Sequence, residues 1–275
     1  MPPPGPPFRI AERVFTLVDP SRTLAFPGQG PQPRRLVTLI RYPLVHRRFP
    51  LIVFGHGFAV TPGIYARLLD AWARAGFVVA APVFPLGNAN APGGPNENDL
   101  VNQPRDMSFV ITRTLALGSD PHSPLAGRID PAHIAVSGQS DGGDTALSAA
   151  YNSQFRDPRI GAAAILSGME IPGVGGYDFP APSPPLLAVQ GLADTINPPP
   201  ATYAFFNLAP PPKYLLTLPG ASHLGPYTDE EPQLRVVERV TIAFFNAYLK
   251  GTRGALTRMR TLGEIPGIAS LEVVR

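Results

Sequence analysis

An α/β fold, with a mostly parallel sheet covered by helices on both faces, is what this sequence predicts. Three observations carry that reading. Short, continuous apolar runs recur from about residue 50 onward, at 51–54, 77–80, 134–136, 160–166, 186–190 and 214–218. Runs of this length without polar alternation suit strands buried on both faces. Between them lie stretches of helical character, at 64–75, 100–117, 145–150 and 201–208, with a longer one at 231–249. Strand and helix in alternation are the pattern of a parallel sheet built from crossover units.

The elements follow in order. Residues 1–7, Met-Pro-Pro-Pro-Gly-Pro-Pro, read as a disordered proline-rich tail, and we set the tail at 1–12 and a single catalytic domain at 13–275. Residues 14–18 and 36–40 form two strands joined by a Pro/Gly-rich turn, suited to an antiparallel edge. The 64–75 helix puts Ile64, Leu68, Leu69 and Trp72 on one face, and Gly76 ends it. Residues 84–98 form a long Asn/Gly/Pro-rich loop, a length that in a compact domain points to a role at a site. Leu271-Glu272-Val273-Val274 reads as an edge strand; the docking of the rest of 252–275 is not legible.

Composition narrows the function classes. The chain has 275 residues, 44% hydrophobic and 16% charged, which suits a large buried core. Net charge is +3, and the arginines that supply nearly all of the positive charge are scattered, so no nucleic-acid surface is indicated. The absence of cysteine excludes disulfides, a thiol nucleophile and cysteine-ligated metal. No apolar run is long enough to span a bilayer. The amino end lacks the apolar segment of a signal peptide; a cytoplasmic protein and a secreted one without its leader both fit. Oligomeric state is not legible.

The chemistry concentrates at Gly138-Gln139-Ser140-Asp141-Gly142, between the 134–136 strand and the small-residue helix that follows. A serine between two glycines at a strand-to-helix junction reads as a nucleophile elbow, where only glycine avoids a Cβ clash on either side. Such a serine needs a base and a carboxylate to orient that base. Five histidines compete. His46, His122 and His133 lie in or beside turns, and His56 sits at a central strand end. His223 alone follows the last core strand in a flexible small-residue loop that could reach over the serine. Asp194, at the end of the preceding strand, is the acid; Asp178 is the alternative. The Ser, Asp, His chain order supports this set. The backbone amides of Asp141 and Phe58 are the candidate oxyanion donors. Gly57 shapes the Phe58 turn, and His56 reads as a tether for the loop more than as a catalytic group.

Gly55-His56-Gly57-Phe58, the Ser140 elbow, Asp194 and His223 together resemble the α/β-hydrolase superfamily. The finer pattern is similar to the branch of platelet-activating-factor acetylhydrolases, dienelactone hydrolases and cutinase-like polyester hydrolases. Val18-Asp19-Pro20-Ser21-Arg22, Arg41-Tyr42-Pro43 and Asn102-Gln103-Pro104-Arg105-Asp106 contribute to that likeness. Two features depart from the pattern. An aspartate, Asp141, follows the nucleophile, and we expect its side chain to turn away toward helix amides or an arginine. Met169 occupies the loop where cutinase-like polyesterases place a tryptophan.

The resemblance implies a serine carboxylic-ester hydrolase without cofactor or metal, acting through an acyl-enzyme on small or polymeric esters. The short 167–185 connection leaves no room for a large lid, so an open pocket is expected, with Phe58, Phe84, Met169, Ile196 and Leu224 as its walls. Short- to medium-chain esters fit best, and no charged cluster singles out an acidic or basic leaving group. Polyester and phospholipid acetyl hydrolysis are alternatives on the same triad. A non-catalytic ligand-binding member of the fold is the alternative from another class.

Overall fold

The computed structural model describes residues 7–275. It is an α/β-hydrolase fold: one nine-stranded, mostly parallel sheet with helices on both faces and no large lid insertion. The strands are β1 (Ile10–Leu24), β2 (Gln32–Pro43), β3 (Phe49–Gly55), β4 (Val78–Val83), β5 (Ile129–Gln139), β6 (Ile160–Leu166), β7 (Leu186–Gly191), β8 (Lys213–Leu218) and β9 (Ser270–Val274). Their order across the sheet is β1-β2-β4-β3-β5-β6-β7-β8-β9. The long β1–β2 hairpin forms one antiparallel edge and β9 the other. The six strands between them run parallel.

The helices are α1 (Ala66–Arg74), α2 (Gln103–Ser119), α3 (Asp141–Tyr151), α4 (Pro199–Leu208), the short α5 (Gly225–Thr228), α6 (Gln233–Lys250) and α7 (Ala255–Gly263). Alternation along the strands divides the core into two layers. Leu51, Val53, Ile134 and Val136 face α2, α3 and α4, packing with Met107, Val110, Leu147 and Phe205. Ile52, Phe54 and Ala135 face α1, α6 and α7, packing with Leu68, Trp72, Phe244 and Met259. That is the period-two geometry of a pleated strand, and with both faces covered every side chain of β3 is buried.

Two expectations about elements are corrected. The 64–75 helix begins as a tight helical turn at Pro62–Tyr65. This rotates Ile64 outward, to 40% exposure, and buries Tyr65 in its place. The tail set at 1–12 is shorter: β1 starts at Ile10, and Phe8 bonds to the Arg74 carbonyl and packs edge-on against Phe49. Residues 1–6, half of the expected tail, lie outside the described residues. The carboxyl-terminal 252–275 segment supplies α7 and β9, so the edge strand read at 271–274 is present and pairs with β8.

Two of the segments that contributed to the likeness, 18–22 and 102–106, meet in one buried ion cluster, whereas Arg41 pairs with Glu12 and Asp70 instead. Arg34 on β2 is 2% exposed. Its guanidinium forks onto Asp99 (2.9 and 2.5 Å) and onto Asp106 of α2 (2.6 Å at each oxygen). Arg22 of β1 adds a second contact to Asp106 at 2.8 Å and is itself held by Asp19 at 2.7 Å. The cluster fixes the end of the 84–98 loop against the sheet edge. Removing one member of a buried pair leaves an uncompensated charge, at a cost of about 3–5 kcal/mol. Urea denaturation of Arg34→Met should show a loss of that size, and adding Asp99→Asn and Asp106→Asn should recover much of it. An Arg34→Met protein as stable as the wild type would contradict this role.

Candidate active site

The site lies at the carboxyl ends of β3, β5, β7 and β8, the rim where open α/β sheets place their ligands. Ser140 joins β5 to α3 with φ 56° and ψ −129°. A non-glycine residue at such a φ carries about 1–3 kcal/mol of strain that its surroundings must offset. Its surroundings are backbone. A Cβ on Gly138 would collide with the Gly142 carbonyl, and one on Gly142 with the Gly55 carbonyl. The Ser140 amide bonds to the Leu166 carbonyl at 3.0 Å, and the Ser140 carbonyl accepts the first helical bond of α3 from Asp144 at 2.9 Å.

His223 and Asp194 form a dyad. Nδ1 of His223 donates to Asp194 Oδ2 at 2.7 Å. The other carboxylate oxygen accepts the Ile196 and Asn197 amides, each at 2.9 Å. Burial would raise the Asp194 pKa, but His223 and these amides outweigh it and hold the carboxyl below its ordinary value. An ionised Asp194 fixes the proton of neutral His223 on Nδ1 and leaves Nε2 as an acceptor. Asp178 is exposed and makes no hydrogen bond or ion pair to His223. His46, His122 and His133 are exposed as well.

Ser140 and His223 line one open pocket of about 300 Å³. They do not hydrogen-bond to each other here. Nε2 of His223 instead lies 3.3 Å from Gln139 Nε2, and the same amide group donates to the His223 carbonyl at 2.8 Å. Gln139 Oε1 accepts from Tyr65 at 2.7 Å, and the Gly57 amide donates to the Tyr65 hydroxyl at 3.3 Å. This relay ties the Gly57 loop to the His223 loop through the residue next to the nucleophile. Sequence reasoning missed it. Gln139 was visible as the neighbour of Ser140, whereas Tyr65 was hidden by the misplaced start of the first helix.

His56 is fully buried and tethers its loop. Nδ1 donates to the Gly57 carbonyl at 2.7 Å, and Nε2 accepts the Phe84 amide at 2.9 Å. Burial pushes its pKa down to about 4, against the pull of the Gly57 carbonyl, so the ring is neutral. Of the expected pocket walls, Phe58, Ile196 and Leu224 border the pocket. Two do not. Phe84 is wholly buried against the His56 ring, at 4.9 Å between centroids. Met169 borders a separate depression with Ile171 and Ala201, drawn there because its amide donates to the buried Asp144 carboxylate at 2.7 Å.

Of the two partners expected for Asp141, a helix amide is present, its own at the start of α3. No arginine pairs with it. Its carboxylate interacts with its own amide and with the pocket groups Glu97, His223 and Tyr65, while Oδ2 has no hydrogen-bond partner. Burial, reinforced by Glu97, pushes its pKa up to about 6. Glu97 comes from the 84–98 loop, so a pair of carboxylates forms where the sequence displayed no charged cluster.

The architecture settles what kind of protein this is. A chlorophyllase family model matches residues 22–183, which hold the nucleophile elbow and the Arg22–Asp106 cluster. The chain belongs to the chlorophyllase family. It is a serine-hydrolase-type member of the α/β-hydrolase superfamily, and the finer likeness to the acetylhydrolase and cutinase branch gives way to this match. No curated protein sequence matches the chain. Among the described residues, no helix is long and apolar enough to cross a membrane, and no group of three or more His, Asp or Glu side chains is placed to hold a metal ion.

The raised pKa of Asp141 has a defined effect on stability. The folded protein holds this proton more tightly than the unfolded chain, whose carboxyl titrates near 3.8. The stabilisation is complete below that pH and is lost as pH rises through about 6. Two pKa units correspond to about 2–3 kcal/mol. Asp141→Asn should therefore be more stable than the wild type at pH 8 by an amount of that order, with the gap closing as denaturation is repeated toward pH 4. A gap independent of pH would contradict the burial of an anionic Asp141.

Proposed function

We propose that the protein is a serine carboxylic-ester hydrolase acting on short- to medium-chain esters. The observation that supports this best is the sharing of one pocket by the strained Ser140 and the His223–Asp194 dyad. In this reading the Ser140 hydroxyl attacks the ester carbonyl while its proton passes to His223 Nε2. Asp194 holds the imidazolium that results. The Phe58 and Asp141 amides receive the oxyanion; the Phe58 amide makes no hydrogen bond among the described residues. The tetrahedral adduct collapses, the C–O bond to the alcohol breaks, and the alcohol leaves with the proton from His223. Water then repeats the sequence on the acyl-enzyme, releasing the acid and restoring Ser140. To reach Ser140, the His223 Nε2 exchanges its contact with Gln139 for the hydroxyl, a tightening common when substrate enters such sites.

The family name points to a chlorophyll substrate. The open pocket of about 300 Å³ suits a small acyl or alkyl group, so a bulky pigment would have to remain largely outside it. Polyester and phospholipid acetyl esters rank behind simple esters on the same ground of pocket size. No step requires a cofactor.

A fluorophosphonate probe separates this reading from a ligand-binding role without catalysis. Labelling of the wild type that disappears in Ser140→Ala, together with a fall of about a thousandfold or more in p-nitrophenyl butyrate hydrolysis, is the expected outcome. A wild-type protein that resists the probe and leaves the ester intact would overturn it.

A further inference from the structure

We propose that Asp141 and Glu97 form a cation-recognising subsite beside Ser140, so that the pocket prefers esters carrying an organic ammonium group over neutral esters of the same shape. The inference rests on the hydrolase reading for its substrate, but the subsite stands on its own geometry. Asp141 is 7% exposed, and its Oδ2 meets no donor among the described residues. Asp141 lines the pocket together with Glu97, His223 and Tyr65. Glu97, exposed at the rim, places a second negative charge on the same opening.

Nothing in the pocket wall balances these charges: no lysine or arginine lines it. The remaining lining is largely apolar and aromatic, including Phe58, Val60 and Leu224. An apolar cavity with an anionic floor and rim matches a quaternary ammonium, whose methyl groups bury well while its charge is attracted through low-dielectric surroundings. The arrangement is also costly without a ligand, because a buried carboxylate with a lone oxygen has lost its hydration. A bound cation would relieve that cost and would draw Asp141 away from its own amide, freeing the amide for the oxyanion.

The groups facing Asp141 are Glu97 from the loop, His223 and Tyr65 across the pocket, and Asp144 one turn along α3. Asp144 is buried, accepts the Met169 amide and has its pKa pushed well up by burial, so it adds little negative charge. Charge selection therefore follows Asp141 and Glu97, and it should fade as pH falls through about 6, where Asp141 takes up its proton.

The test compares acetylcholine, the acetate ester of choline, with neohexyl acetate, its uncharged carbon isostere, at low salt. At pH 8 the wild type should favour the choline ester in kcat/KM by about tenfold or more, a difference of about 1.4 kcal/mol. Glu97→Gln and Asp141→Asn should each shrink the ratio, and the double variant should bring it to within about twofold of unity. Taking the ratio cancels groups that act on both esters alike, His223 included. Asp141→Asn should also quicken neohexyl acetate hydrolysis while slowing that of the choline ester, a crossing that general damage to the site would not produce. Equal kcat/KM for the two esters, or a preference that survives the double variant, overturns the proposal.

A second readout does not need turnover. Choline should bind Ser140→Ala more tightly than neohexanol in calorimetry; Glu97→Gln in that background should shrink the difference, and Glu97→Gln with Asp141→Asn should abolish it. Equal binding overturns the subsite. A protein that binds choline selectively yet resists fluorophosphonate would keep the subsite and lose the hydrolase reading; one that hydrolyses both esters alike would do the reverse.

Discussion

Three glycine backbones in contact, Gly55, Gly138 and Gly142, set the geometry of everything around the nucleophile. Each stands where a Cβ would meet the backbone of another. The carboxyl end of β3, the end of β5 and the first turn of α3 are thereby brought to backbone contact. That closeness permits the strained Ser140 conformation, because the chain leaves β5 and enters α3 with no room for a relaxed turn. It also places the Phe58 loop, two residues after His56, on the same opening as the α3 amino terminus. The helix is fully buried from Asp141 to Tyr151, so the core behind it opposes any relaxation of the elbow.

Around this fixed centre the site is assembled by tethers of three kinds. Neutral His56 spans the Gly57 carbonyl and the Phe84 amide, joining the loops after β3 and β4. The Tyr65–Gln139 relay joins the Gly57 loop to the His223 loop. The Arg34 cluster anchors the segment that ends the long loop, two residues beyond Glu97. The first two are neutral hydrogen-bond bridges, and the third is a charge cluster deep at the sheet edge. Each links elements far apart in sequence; the His56 bridge and the Arg34 cluster support the pocket from outside, whereas the Tyr65–Gln139 relay is part of its wall.

The fold was largely readable from the chain because its parallel strands are buried on both faces and so appear as unbroken apolar runs. The His223–Asp194 dyad and the tight turn at Ser140 were legible because each follows a strand end, where strand order and chain order together restrict the choices. What escaped had physical reasons. Ile64 and Tyr65 exchanged places because a tight helical turn shifts the phase of the helix that follows. Phe84 and Met169 looked like pocket walls by position, but the pull of His56 on one and of Asp144 on the other turns them elsewhere. Glu97 and Asp141 lie 44 positions apart, and only the folding of the long loop against the Arg34 cluster brings their charges to one opening.

The central claim is that His223, held by Asp194, serves Ser140. The most direct measurement is a crystal structure of the protein after reaction with a small phosphonate. The account predicts phosphorus bonded to Ser140 Oγ, a phosphonyl oxygen against the Phe58 and Asp141 amides, and the Nε2 of His223 moved from Gln139 to hydrogen-bond distance of the adduct oxygens. An adduct on another residue, or an imidazole that stays on Gln139 out of reach of the adduct, would contradict it.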